Sequence, residues 1–94
     1  MAWVAPARPA EPTEPGCYVW HPSGCPRKPS VKVDTEWAHD IWGENNRGAG
    51  SSEQTCASRK SQYDSFCGTS DVEMLFVGPA GGAGPPGRRV GYLR

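Results

Sequence analysis

Four stretches of the chain carry a readable pattern of apolar and polar positions. Residues 17–20, "CYVW", are a run of β-formers and predict a short strand. "HPSGCPRKP" (21–29) turns the chain, because proline fixes φ and the glycine after it is free to take a positive φ. "SVKV" (30–33) alternates and reads as a brief extended piece. Asp34 then stands where a helix N-cap belongs, its carboxylate able to accept from first-turn N–H groups. Trp37 and Ile41 lie four apart with Ala38 and Trp42 beside them, an apolar stripe at helical spacing. Gly43 weakens that helix by about 1 kcal/mol relative to alanine, and "NNRGAG" ends it.

A second helix is signalled more strongly. Ser51 followed by Gln54 fits a capping box. "SEQTCASRKSQYDSFC" contains neither Gly nor Pro, and Gly68 sits where a left-handed C-terminal cap belongs. Cys56, Tyr63 and Cys67 fall on one face, with Phe66 adjacent. "VEMLFV" (72–77) predicts a second strand, able to pair antiparallel with "CYVW". The expected fold is therefore α+β, with two helices packed on a short antiparallel sheet.

Composition narrows the folded part. Twelve glycines and ten prolines crowd the ends of the 94-residue chain. Residues 1–15 read as a proline-rich linker, 16–77 as the ordered module and 78–94 as a Gly/Pro-rich flexible tail. Trp3, Val4, Tyr92 and Leu93 are expected as exposed tail residues, and Arg88–Arg89 as plain tail charge. A core of roughly 60 residues buries too little surface to be comfortable alone and calls for disulfides or a metal. Formal net charge is zero, which argues against nucleic acid. No stretch approaches the ~20 apolar residues of a membrane span. The N-terminus has no signal-like apolar run, which conflicts with the secreted look of the cysteines: a removed signal, a segment of a longer protein or reduced thiols would each resolve it, and a segment is favoured because both ends read as linkers.

The four cysteines carry most of the architecture. Cys56 and Cys67 are eleven residues apart, so a continuous helix separates them by roughly 16 Å, while a disulfide tolerates about 7 Å between Cα atoms. Each must then reach Cys17 or Cys25. Two pairings remain: 17–67 with 25–56, which we favour because it brings the first strand near the helix end that leads into the last strand, or 17–56 with 25–67. The metal alternative would use Cys17, His21, Cys25 and one later cysteine. Their gaps lack the close ligand pairs that zinc sites use. A redox role is weaker still, since no C-x-x-C is present.

Among the aromatics, Trp37 reads as core. Tyr18, Trp20 and Trp42 form a candidate stacking set for a ligand, since a flat ring beside polar groups offers large area with little rotamer entropy. For Trp20 and Trp42 a core role stays open. Glu36, Asp40 and Glu44 repeat at four-residue spacing and read as a solvated acidic face, not a calcium site. His21, His39, Asp40 and nearby serines do not compose a catalytic triad, as no nucleophile elbow is present. Arg27, Lys28, Lys32, Arg59 and Lys60 read as charge-pairing groups balanced by the acidic positions.

The pattern Cys-Tyr-x-Trp-x-Pro-Ser-Gly-Cys-Pro (17–26), Trp37 and Trp42 with Gly-Ala-Gly (48–50), Cys-Ala-Ser-Arg-Lys (56–60) and Cys-Gly-Thr-Ser-Asp-Val-Glu-Met (67–74) resembles short cysteine modules in predicted extracellular proteins of single-celled algae, dinoflagellates especially. The resemblance implies a secreted or surface module and carries no activity. The expected function is a noncatalytic extracellular or cell-surface binding module, without cofactor, that takes a glycan or cell-wall polysaccharide. The alternatives are a structural or self-associating module that meets an extracellular protein, and a small zinc-binding protein.

Overall fold

A computed structural model describes residues 8–31, 33, 36–46, 52–78 and 88–90, without the side chains of 44–46 and 88–90. Asp34, Lys32, Ser51 and the expected tail residues Trp3, Val4, Tyr92 and Leu93 lie outside the described residues. The elements are strand β1 (Gly16–Trp20), strand β2 (Ala38–His39), a 3₁₀ turn (Ile41–Asn46), helix α1 (Glu53–Cys67), strand β3 (Glu73–Val77) and strand β4 (Arg88–Val90). The sheet is antiparallel, in the order β2-β1-β3-β4.

The expectation of two helices is overturned: the described residues hold one α-helix. The stretch read as the first helix instead contributes β2, which pairs with β1 through Tyr18↔His39 and Val19↔Ala38, and the 3₁₀ turn. Two local forces defeat the helical spacing of Trp37 and Ile41. The carboxylate of Asp40 bonds the backbone N–H of Trp42, the kind of local bond that takes aspartate out of helix interiors. Gly43 then interrupts the turn with φ −102° and ψ 33°.

α1 begins where capping chemistry allows, one residue later than expected. Ser52 is its N-cap, its hydroxyl accepting from the Thr55 N–H at 3.1 Å. Gly68 closes it in the left-handed region at φ 74°, as a glycine cap does. The Gly68 and Thr69 N–H groups both donate to the Asp64 carbonyl. The Arg27 guanidinium donates to the Ser65 carbonyl, and the Arg27 N–H to that of Cys67. The last turn therefore leaves few of its carbonyls orphaned.

The sheet has a core on each face. On the helix face, Cys17, Val19 and Met74 pack with Val33, Cys56, Tyr63, Cys67 and Val72. On the other face, Tyr18, Leu75 and Val77 pack with the partly buried Trp37. This follows from strand alternation and the register Tyr18↔Leu75, Val19↔Met74. Every residue of β1 is buried, which is unusual for an antiparallel sheet that leaves one face to water.

Two disulfides tie β1 and the loop after it to the helix ends: Cys17–Cys56, with Cα atoms 5.6 Å apart, and Cys25–Cys67, at 4.7 Å. The favoured pairing was the other one, and the sheet register explains the correction. Trp20, at the end of β1, lies opposite Glu73, at the start of β3. The chain enters β3 just after the C-terminus of α1. The loop that follows β1, with Cys25, therefore meets Cys67. Cys17, at the start of β1, lies opposite Phe76 and meets the first turn of the helix at Cys56.

Candidate functional site

The three aromatics singled out as a stacking set do not share a surface. Tyr18 and Trp20 are buried, with 3% and 4% of their surface exposed, whereas Trp42 is 42% exposed. Tyr18 lies in the core on the sheet's second face and its hydroxyl donates to the Glu14 carbonyl at 2.8 Å. Trp20 tilts against Trp37 with ring centroids 5.9 Å apart. Of the set, Trp42 alone presents a ring to solvent. Ile41, expected to point inward, stands beside it at 44% exposure.

This exposed corner is held from below by a buried polar cluster. Asp40, expected on a solvated acidic face, is buried. Its Oδ1 accepts from the Tyr63 hydroxyl at 2.7 Å and from the Trp42 N–H at 3.1 Å. Its Oδ2 accepts from Arg59 Nε at 3.0 Å. The Tyr63 oxygen in turn accepts the Ile41 N–H, and the Asp40 N–H donates to the Cys17 carbonyl. A buried carboxylate is tolerated only when its lone pairs are answered, and here three donors from two segments answer it. Burial, reinforced by the bond to Asp40, pushes the Tyr63 phenol far above its ordinary range. It therefore stays a hydroxyl donor.

The Trp42 ring rests on side chains of α1. It lies 4.5 Å from the Tyr63 ring at 55° and 5.2 Å from the Phe66 ring, nearly edge-on at 78°. Both distances suit favourable aromatic pairing. Lys28 Nζ stands 5.8 Å from the centre of the Phe66 ring, and Arg59 Nη1 reaches Gln62 Oε1 at 3.3 Å. The result is an indole braced on one side and open on the other, with cationic side chains near its supports.

Other polar groups offer less. His21 is buried; its Nδ1 accepts from the Ser23 N–H at 3.1 Å. Burial holds its imidazole below the ordinary value, against an opposing pull from Asp71. Among the described residues, Trp20 Nε1, His21 Nε2 and His39 Nδ1 are buried without a hydrogen-bond partner. All four sulfurs are bridged, so the thiolates of the zinc alternative are not present in this state. The described residues contain no group of three or more His, Cys, Asp or Glu side chains arranged for a metal ion. No described helix is long and apolar enough to cross a membrane. Lys60 pairs with Asp64 at 2.9 Å and Arg59 with Asp40, while Arg27 caps the helix, so much of the basic set serves intramolecular contacts.

Residue patterns pointed to Trp42 but not to what supports it. Tyr63 is legible as a helix-face residue, yet nothing local ties it to Asp40, 23 positions earlier. The chain matches no protein family, curated protein or solved structure.

Proposed function

We propose that this chain is a noncatalytic extracellular binding module that takes a glycan by stacking a sugar ring on Trp42. The observation that carries the reading is the braced indole: a tryptophan left 42% exposed although its backbone and ring are fixed by Asp40, Tyr63 and Phe66. Fixing the ring in advance lowers the ordering cost of binding. A flat face of this kind suits the axial C–H groups of a pyranose, while Gln62, Arg59 and Lys28 stand near enough to its supports to meet hydroxyls. Two disulfides in a small domain suit an oxidising, extracellular compartment.

A glycan array and an insoluble-polysaccharide pull-down test this with the parent and Trp42→Ala. Binding by the parent that Trp42→Ala loses supports the reading. Absence of binding by the parent, or equal binding by both, rejects it. The exposure of Ile41 favours a second reading, an assembly module whose Ile41–Trp42 corner meets another protein. Concentration-dependent light scattering that Ile41→Ser abolishes, without sugar binding, would select it.

A further inference from the structure

Proline recurs at every third position near the start of the chain, at Pro6, Pro9, Pro12 and Pro15. Between 8 and 15 the burial has the same period. Pro9, Pro12 and Pro15 are half-buried, while Arg8, Ala10, Glu11, Thr13 and Glu14 are exposed. A polyproline II helix has three residues per turn and no internal hydrogen bonds. Residues at every third position of such a helix share one edge, and the half-buried prolines recur at that spacing up to the bend at Glu14–Pro15, where the chain turns into β1.

Two aromatic donors and one ion pair hold this segment. Trp37 Nε1 donates to the Pro9 carbonyl at 3.1 Å, and the Tyr18 hydroxyl donates to the Glu14 carbonyl at 2.8 Å. Arg8 Nε pairs with Glu73 at 2.9 Å. The receiving side chains come from β1, from the residue before β2 and from the start of β3. The surface thus belongs to the sheet and is backed by Leu75 and Val77. Aromatic side chains that donate to main-chain carbonyls, over a ligand whose prolines supply the apolar edge, are the general means by which proteins read polyproline segments. This site is on the sheet face opposite the Trp42 corner and does not depend on the glycan reading.

We propose that the Trp37–Tyr18 face is a recognition site for a polyproline II segment with proline at every third position. Residues 8–15 occupy it in cis, and the occupant in trans is the same segment of a second copy of this chain. The cis segment joins β1 directly through Gly16, at φ 153°, so it is presented at an effective concentration in the millimolar range. An intrinsically weak site stays filled under that condition. Release of one segment and capture of a neighbour's links copies by exchange of an identical element, a low-cost route to dimers or chains.

The test uses the full chain with Pro9→Gly, Pro12→Gly and Pro15→Gly, which removes the polyproline bias and leaves Trp37, Tyr18 and both disulfides intact. The Trp37 indole N–H is followed by nitrogen-15 NMR, with intact mass and core methyl signals checking the fold. In the parent this proton should be protected from solvent exchange by its bond to the Pro9 carbonyl. The triple variant should lose that protection, and a synthetic peptide of residues 5–15 at millimolar concentration should restore it and return the signal to the parent position. A peptide of the same composition with its prolines made contiguous should not. Protection retained in the triple variant, failure of the peptide to restore it in a folded sample, or equal restoration by the contiguous-proline peptide would each overturn the proposal.

Discussion

The Tyr63 hydroxyl donates to Asp40 Oδ1 at 2.7 Å and accepts the Ile41 N–H. One oxygen thereby joins the middle of α1 to the loop that carries Trp42. Tyr63→Phe keeps the ring under Trp42 but strips Asp40 of one donor and Ile41 of its acceptor. Leaving buried polar groups unanswered costs about 1–3 kcal/mol each, so Tyr63→Phe should lower stability by roughly 2–4 kcal/mol. Denaturant unfolding measures the loss. A change under ~0.5 kcal/mol would mean that the bond is not formed in solution.

Peptide mapping of the unreduced protein should join Cys17 to Cys56 and Cys25 to Cys67. Because no Lys or Arg lies between Cys17 and Cys25, the digest needs cleavage after Tyr18 or Trp20. Pairwise Cys→Ser replacement of either bridge opens a loop of 39 or 42 residues. Each should cost about 4 kcal/mol by the loop-entropy relation, read as a fall in the unfolding midpoint. Recovery of a Cys17–Cys67 peptide would contradict the register of β1 and β3.

That register marks how far the sequence alone reaches. The helix from Glu53 to Cys67 is legible because its signals are local: no Gly or Pro inside, a hydroxyl before it, Gly68 after it. The impossibility of a Cys56–Cys67 bridge follows from helix geometry alone. The choice between the two surviving pairings was also within reach. An antiparallel "CYVW" and "VEMLFV" places the end of the first strand beside the start of the second, hence Cys25 beside the helix C-terminus. Residues 36–45 were not legible in the same way. Trp37 and Ile41 mimic a helical stripe, but β1 recruits Ala38–His39 as a sheet neighbour and Asp40 turns inward to Tyr63 and Arg59. Those partners are distant in sequence, and no local propensity encodes them. The three-residue proline period is written plainly in the chain, but nothing nearby says that Trp37 and Tyr18 will meet its carbonyls.

His21 gives the fold a dependence on pH. Burial lowers its imidazole below the ordinary value, so below about pH 6.5 the unfolded chain takes up a proton that the folded chain resists. The stability from this group is complete above that pH. It falls as pH drops toward the folded value, where it levels off. Protonation at Nδ1 would also displace the Ser23 N–H. Between pH 7 and 5 the denaturation midpoint of the parent should fall more steeply than that of His21→Asn. Parallel profiles would show that His21 titrates alike in both states.

Any side chain at Gly68 should cost stability. Its φ of 74° is left-handed, and a Cβ there would come within 3.3 Å of Arg27 Nε. Gly68→Ala therefore carries backbone strain of about 1–2 kcal/mol and disturbs the guanidinium that caps Ser65. The thermal midpoint should fall accordingly. The double variant Gly68→Ala, Arg27→Ala should fall by less than the sum of the singles, since the two residues are in contact. Simple additivity would place Arg27 away from the helix end.

Trp42→Ala separates recognition from folding. The ring is partly exposed, so its removal forfeits two aromatic contacts, at about 0.5–1.5 kcal/mol each, and leaves Asp40, Tyr63 and both bridges in place. The backbone bond from the Trp42 N–H to Asp40 does not need the indole. The buried part of the ring adds to those two contacts, so stability should drop by more than the pair terms alone but by less than the roughly 3–5 kcal/mol of a fully buried Trp→Ala change, with unchanged helix content by circular dichroism, while binding at the corner is lost. Tyr63→Phe makes the complementary change, keeping the indole and loosening its base. It should weaken binding by less than Trp42→Ala does, although it too destabilises the fold. The reverse order of affinities would assign recognition to the buried cluster and not to the exposed ring.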